Sequence, residues 1–203
     1  LDGGAVLVVN GTLNLNRVMM RGNVAQRSGG AVAMLTGRLN GTDSVWQSNR
    51  AGKGGAIGCI HELLEPDTGY LAIPGVTQMS FAPVLDFQDG AVFESNVASH
   101  FGGAIAYTSG HLGCDGCRFQ SNQAPEVGGV WITGTGQFSL DHVTFVNNSA
   151  ARRASAFLYA PDSTVSGDGH EAHFGPQPRF YNNTQLGESV QAGDDLDVVL
   201  VTQ

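Results

Sequence analysis

An aromatic or methionine residue followed three places later by asparagine recurs along this chain at a nearly fixed period. From one such asparagine to the next, the steps are 26, 47, 26, 26 and 35 residues, so a unit of about 26 residues repeats with two insertions. A period of this size indicates a fold built by stacking one supersecondary unit on the next. The pairs are Met20/Asn23, Trp46/Asn49, Phe93/Asn96, Phe119/Asn122, Phe145/Asn148 and Phe180/Asn183.

Each unit also contains short β-rich stretches separated by turn residues, such as VWIT, GQFSL and VTFV between Gly128 and Arg153. Strands this short are not stable alone, but each can pair in parallel with its copy in the next unit, about 4.8 Å away. The sequence therefore predicts an all-β, single-stranded parallel β-helix over residues 1–203, with about six to seven coils of about 26 residues. Because Leu1 falls in mid-repeat, we expect this segment to belong to a longer chain.

The recurring positions become ladders in such a stack. The aromatic or methionine position is expected to stack inside, and a Gly-Gly pair such as Gly102-Gly103 allows the backbone to approach where a Cβ would clash. An asparagine at each corner can satisfy turn amides that the sheets leave unpaired. We therefore predict a buried structural ladder of Asn23, Asn49, Asn96, Asn122 and Asn148.

The motifs resemble those of a known group of surface proteins. The tetrapeptides Gly54–Ile57 and Gly102–Ile105 read Gly-Gly-Ala-Ile, and Phe-x-x-Asn begins at Phe93, Phe119, Phe145 and Phe180. Together they are similar to the repeats of the chlamydial polymorphic outer membrane proteins and related surface proteins. The resemblance implies a right-handed β-helix displayed on a cell surface, with adhesion as the usual role.

Composition and charge narrow the function classes. The formal charge of −8 is unfavourable for binding a phosphate backbone, so we expect no nucleic-acid partner. No apolar run approaches the roughly 20 residues needed to cross a bilayer, so no transmembrane segment is expected. The expected location is extracellular or at a cell surface, with other protein subunits or surface glycans as partners. Four sequons of a secreted glycoprotein are candidates for glycosylation, at Asn10, Asn40, Asn147 and Asn182.

Cysteines and acidic residues each leave alternatives open. Cys114 and Cys117 form a lone CxxC that either packs in the core or closes a disulfide across one corner, and Cys59 lies in an apolar strand. Asp115 and Asp141 are 26 residues apart at one repeat position, and counting back from Phe93 adds Asp89. Three interpretations are open. The residues are ordinary turn residues, or they are oxygen ligands for a cation such as calcium, or Asp115 and Asp141 form a catalytic pair. No other cofactor and no catalytic residue is predicted.

Two insertions interrupt the repeats, at residues 61–83 and 161–178, and both follow the strand after the Gly-Gly position. We expect them on one edge of the stack, where insertions in repeat proteins often mark the binding face. The second contains Asp168, His170, Glu171 and His173, either an ordinary polar loop or a metal cluster. The first carries large apolar residues that either fold back or contact a partner, among them Leu63, Leu64, Tyr70 and Phe81.

The strands after the Gly-Gly pairs are apolar at both parities, which predicts that one face of the stack is covered. Candidate covers are the first insertion, a neighbouring domain or another subunit. We expect a non-catalytic extracellular or cell-surface scaffold with an adhesin-like role. Two alternatives remain: a structural segment of a filament or larger surface assembly, and a polysaccharide-active enzyme of the pectin-lyase type.

Overall fold

The structure is a computed structural model, and it describes residues 2–59, 82–161, 172–176, 178–185, 188–190 and 198–200. Every regular element in those residues is a β-strand. Most strands are short, and β12 and β15 are the longest, with 11 and 12 residues. In chain order the strands are β1 (Val6–Val8), β2 (Thr12–Asn16), β3 (Met19–Arg21), β4 (Val32–Met34), β5 (Arg38–Thr42), β6 (Val45–Gln47), β7 (Arg50–Lys53), β8 (Ile57–Cys59), β9 (Val84–Gln88), β10 (Val92–Glu94), β11 (Val97–Phe101), β12 (Ile105–Asp115), β13 (Arg118–Gln120), β14 (Gln123–Ala124), β15 (Val130–Asp141), β16 (Thr144–Val146), β17 (Ser149–Ala150), β18 (Phe157–Pro161), β19 (Ala172–Phe174), β20 (Arg179–Tyr181), β21 (Asn183–Gln185), β22 (Glu188–Val190) and β23 (Val198–Leu200).

The sheet topology corrects the predicted fold class, a single-stranded right-handed parallel β-helix of about six to seven coils. The strands form one sheet of 11 and two of 6, in a nearly closed arrangement of parallel strands with a path of seven strands through the largest sheet. One pair, β21 with β22, is antiparallel. The physical reason lies in β12 and β15. Each continues through two stretches that the sequence pattern separates, so two rows of strands join into one large sheet.

Parallel pairing follows the period of the sequence. Phe93 pairs with Trp46 on one side and with Phe119 on the other, and Ile105 pairs with Ile57 and Val130. Residues at the same position of successive units therefore lie side by side along the direction of the interstrand hydrogen bonds. This register turns every sequence position into a row of neighbouring side chains.

One apolar core lies between the three sheets. Its centre is a stack of rings, in which Phe93 and Phe119 have centroids 4.9 Å apart and Phe119 and Phe145 have centroids 4.8 Å apart. Trp46 and Phe180 extend the stack at 5.7 and 5.2 Å, so the aromatic position is internal along the row. The interplanar angles of 4° to 10° show that the rings lie nearly parallel, as the strand spacing requires.

The Gly-Gly pairs lie where neighbouring units touch backbone to backbone. Gly102 has a φ of 60°, in the left-handed region where a side chain is strained. A Cβ on Gly103 would overlap the carbonyl oxygen of Gly128 in the next unit. The first glycine therefore supplies the turn and the second supplies the close approach, and this brings the third sheet back onto the largest one.

Candidate functional site

The corner between the second sheet (β3, β6, β10, β13, β16, β20) and the third sheet (β7, β11, β14, β17, β21, β22) is held by an asparagine ladder. Both the backbone N–H and the Nδ2 of Asn96 donate to Oδ1 of Asn122, at 3.0 Å each. The same Nδ2 also donates to the carbonyl oxygen of Trp46, at 2.8 Å. One side chain thus accepts two bonds and donates two, which satisfies a buried amide completely.

This pattern repeats from unit to unit. The side-chain bonds between successive asparagines are 2.9 to 3.0 Å long. The exposed fraction is 0 % at each member except Asn23, which is half-buried. Sequence reasoning left Asn183 out of the ladder, although the Phe180/Asn183 pair was the signal for it. The members are Asn23, Asn49, Asn96, Asn122, Asn148 and Asn183.

The residue before each ladder asparagine has a left-handed backbone, and two of the predicted sequons use it. Asn147 and Asn182 have φ of 54° and 49°, and Ser121 occupies the same position with φ of 55°. Asparagine tolerates this conformation better than most residues, which accounts for its presence here without a modification. Asn147, Asn182 and Asn10 are exposed, whereas Asn40 is half-buried and donates its Nδ2 to Asn14 Oδ1 at 2.7 Å.

Acidic and histidine side chains line a groove on the outer side of the largest sheet, which we call the Asp–His groove. It encloses about 290 Å³ and is bordered by Asp86, His111, Asp115, Ser139 and Asp141. Asp115 and Asp141 lie side by side in register on β12 and β15. They are exposed and half-buried, respectively, so water reaches this pair.

The third predicted member, Asp89, lines the same groove but does not belong to this row, so its predicted register position is wrong. Phe87 pairs with Cys114, so the residue level with Asp115 is Gln88. Asp89 lies one place further on, at a left-handed turn position with φ of 56°. The physical reason is an extra residue, Gly90, between Asp89 and β10, which shifts any count made back from the aromatic residue.

Within the groove Asp115 and Asp141 each have a partner other than a second carboxylate. His142 Nδ1 lies 3.1 Å from Asp115 Oδ1, and Ser139 Oγ donates to Asp141 Oδ2 at 3.3 Å. His173 Nε2 lies 4.0 Å from Asp141 Oδ1. In the part of the chain that the structure describes, no three His, Cys, Asp or Glu side chains are grouped to hold a metal ion. The arrangement therefore offers two carboxylate–imidazole pairs, and a calcium site at Asp115 and Asp141 stays a prediction.

The cysteines lie in the core. Cys59, Cys114 and Cys117 are free and buried, so the CxxC forms no disulfide in this structure. Burial raises the pKa of the Cys59 thiol far above its ordinary value. Burial also raises the pKa of Cys114, with further contributions from a hydrogen bond and the charge of Cys117. These thiols are neutral and shielded, which makes nucleophilic chemistry at them unfavourable.

The outward row of the apolar strands after the Gly-Gly pairs is covered in part by the chain itself. Ala106 and Leu158, both on this row, are only 2 % and 1 % exposed. Leu158 forms a small second cluster with Val127 and Ala154, and the Phe101 ring stacks on Trp131 at 4.8 Å. The segments that precede the Gly-Gly pairs thus fold over the sheet.

A second, larger groove runs along the third sheet, and we call it the alanine groove. It encloses about 560 Å³, and its lining includes Ala98, Ala124, Ala150, Val97 and Gln123. The three alanines are 2 to 6 % exposed and form its floor, whereas Gln123 on the rim is exposed. The small residues come from the position two places after each ladder asparagine, where the corner is tight. The sequence did not predict an open groove above these alanines.

Several predicted functional residues lie outside the described residues. They are the partner-contact residues Leu63, Leu64, Tyr70 and Phe81 and the insertion residues Asp168, His170 and Glu171. Most of the insertions 61–83 and 161–178 is likewise outside, so their common edge stays a prediction.

Comparison with protein-family models, with curated proteins and with solved structures found no match to this chain. Among the described residues there is also no helix with the length and apolar character needed to span a bilayer.

Proposed function

We propose that this chain is a non-catalytic extracellular or cell-surface scaffold with an adhesin-like role, which contacts other proteins or surface glycans. The observation that carries the proposal is the alanine groove. Its floor of alanines and its rim, which carries Val97 beside polar residues such as Gln123 and Ser149, form an open channel along several repeats. An apolar floor within a polar rim is the anatomy of a protein-contact surface.

The repeat explains why such a groove is continuous. Val97 pairs with Arg50 on one side and with Gln123 on the other, and Gln123 pairs with Ser149. A partner lying along the third sheet therefore meets a new rim side chain at every strand, whereas the floor stays small and apolar. Apolar groups of the partner gain about 25 cal/mol per Å² when they are buried there, and the changing rim supplies specificity.

A matched pair of substitutions tests this proposal. Val97 on the rim of the alanine groove and Val92 on the second sheet are both half-buried, outward-facing valines. The protein and the variants Val97→Arg and Val92→Arg are tested against purified extracellular-matrix proteins and a glycan array. We expect binding by the unaltered chain and by Val92→Arg, and at least tenfold weaker binding by Val97→Arg with unchanged circular dichroism. Equal loss in both variants, or no binding at all, would count against the proposal.

A second candidate function has a specific observation in its favour. Asp115 and Asp141 are adjacent carboxylates, and each has an imidazole nearby, which is the kind of group that acid–base cleavage of a polysaccharide uses. The test is cleavage of polygalacturonate with and without calcium. Activity that disappears in Asp141→Asn but persists in Gln88→Asn would establish an enzyme and displace the scaffold proposal.

A further inference from the structure

Two thiols lie at the corner where β12 of the largest sheet is followed by β13 of the second sheet. Cys114 is on β12 and pairs with Phe87 of the preceding unit. Cys117 lies just before β13, and its Sγ is 4.0 Å from the carbonyl oxygen of the same Phe87. Both cysteines are buried in the apolar core. The two side chains therefore pack against one residue, in one small region of that core.

The backbone between the two cysteines turns. Only Asp115 and Gly116 separate them, and Gly116 has a φ of 70°, in the left-handed region. The turn keeps both side chains on the inside of the corner, where the Cys114 thiol is hydrogen-bonded to that of Cys117. Thiols in such contact need only a small movement of their side chains to form an S–S bond of about 2 Å.

The next unit shows that this corner does not need sulfur for its packing. Leu140 is level with Cys114, and Val143 is level with Cys117. Both are fully buried apolar residues, and they fill the same two positions without a thiol. Two cysteines at the two positions of one corner are, in contrast, the arrangement that a cross-link requires.

The third cysteine of the chain is too far away to compete. Cys59 pairs with Tyr107, which lies seven residues before Cys114 on β12. Seven residues of strand span about 20 Å, whereas a disulfide joins Cα atoms less than about 7 Å apart. Cys59 is therefore a buried thiol without a second cysteine in reach, and it serves as an internal reference.

The Asp–His groove leads to one of the two paired thiols. Cys114 borders this groove together with Asp86 and His111, and it keeps an exposed fraction of 3 %, whereas that of Cys117 is 0 %. A small oxidant that enters the groove therefore meets Cys114 first, with Cys117 behind it. Because burial raises the pKa of Cys114, its reactive thiolate is scarce and the reaction in the folded chain is slow.

We propose that Cys114 and Cys117 are a redox pair that closes into a disulfide across this corner, and that the structure describes the reduced state. With a small disulfide as oxidant, the Cys114 thiolate attacks one of its sulfur atoms and releases one thiol. The Cys117 thiolate then attacks Cys114 Sγ in the mixed disulfide and releases the second thiol. The protein gives up two electrons and two protons, and the small disulfide is reduced to two thiols. This inference does not rest on the alanine groove, so it can hold or fail separately from the scaffold proposal.

Thiol–disulfide equilibrium of the full chain tests the proposal. The reduced chain is incubated with a fixed ratio of oxidised to reduced glutathione, once folded and once in urea, and free thiols are then alkylated for mass spectrometry. The folded product should weigh two hydrogen atoms less, with Cys114 linked to Cys117 and Cys59 alkylated. Because the folded corner holds the two thiols together, the equilibrium constant for the link should be at least tenfold larger than in urea.

Matched variants locate the pair. Cys117→Val places the residue of the next unit at this position and should abolish the loss of two hydrogen atoms, whereas Cys59→Ala should leave that loss unchanged. If Cys59→Ala does not fold, the peptide map of the unaltered chain still assigns the link. A link to Cys59, links between chains only, equal equilibrium constants with and without urea, or no disulfide in the folded chain overturns the proposal.

Discussion

The asparagine corner and the Asp–His groove belong to the same repeats, but they repeat in different ways. At the corner every described rung carries the same residue and the same bonds. The row that contains Asp115 and Asp141 of the groove is not uniform, because only these two neighbours carry the same residue. That row runs Asn16, Thr42, Gln88, Asp115 and Asp141.

Burial accounts for the contrast. The ladder asparagines other than Asn23 have no access to water, so their donors and acceptor need protein partners. The asparagines of the neighbouring units and one backbone carbonyl supply those partners, as for Asn96. A side chain in the groove reaches water and stays satisfied whatever its neighbour is. The residue type is therefore fixed at the corner positions but can vary at the groove positions. Positions that can vary are the ones that can acquire binding functions.

The largest effect is expected from the ring stack that lies beneath the corner. Phe119 is fully buried between Phe93 and Phe145, so Phe119→Ala should lower the free energy of unfolding by about 3–5 kcal/mol. Urea unfolding followed by circular dichroism measures this change. The matched control is Phe101→Ala on the outer face, where the ring is half-buried, and we expect less than half the effect.

A smaller effect is expected at the ladder itself. Asn122→Ala removes the acceptor of two bonds from Asn96 and leaves those buried donors unsatisfied, so unfolding should become easier by about 1–3 kcal/mol. Thermal unfolding measures it against Gln123→Ala, an exposed neighbour on the same corner. Equal melting temperatures for the two variants would show that the ladder is dispensable.

Alkaline pH is expected to lower the stability of the fold through the buried thiols of the core. Burial raises the pKa values of Cys59 and Cys114, so these thiols stay protonated in the folded chain while they ionise in the unfolded chain above about 9.0. Stability is therefore fully present below pH 9 and falls above it, by about 1.4 kcal/mol per pH unit for each thiol. Unfolding curves at pH 8, 9 and 10 measure this, and Cys59→Ala should reduce the slope.

The smallest effect is expected in the Asp–His groove. Asp115 is exposed and pairs with an exposed His142, so Asp115→Asn should change the free energy of unfolding by less than about 0.5 kcal/mol. The same unfolding assay applies. A loss of more than about 1 kcal/mol would mean that this row is a structural requirement like the corner, and the contrast between the two regions would disappear.

The sequence predicted the parts of the molecule that repetition forces. The spacing between Phe119 and Phe145 equals the repeat period. That period predicts the parallel strand register, which places these two rings side by side. It did not reveal that β12 and β15 join two rows of strands, because nothing in a local apolar pattern says whether a turn interrupts two stretches. The misplacement of Asp89 has the same origin, since one inserted residue shifts a count without changing any motif.

The alanine groove shows another limit of the sequence. Alanine at Ala124 indicates a tight corner, but the open space above it is bordered by residues of several strands, such as Val97 and Ser149. Such a space comes from the backbone path of several units at once. The open space can therefore be recognised only in the three-dimensional structure, in which those units are stacked.

The parallel register also determines how the molecule responds to force. Hydrogen bonds between successive repeats run along the stacking direction, as between Asn96 and Asn122. A pull along that direction loads the repeats in series, so they should peel off one at a time at low force. A pull across the strands loads many bonds together and should meet far higher resistance. In single-molecule stretching, each peeled unit of about 26 residues should release about 90 Å of chain. Under tension the chain would therefore extend readily along the stacking direction and resist extension across its strands.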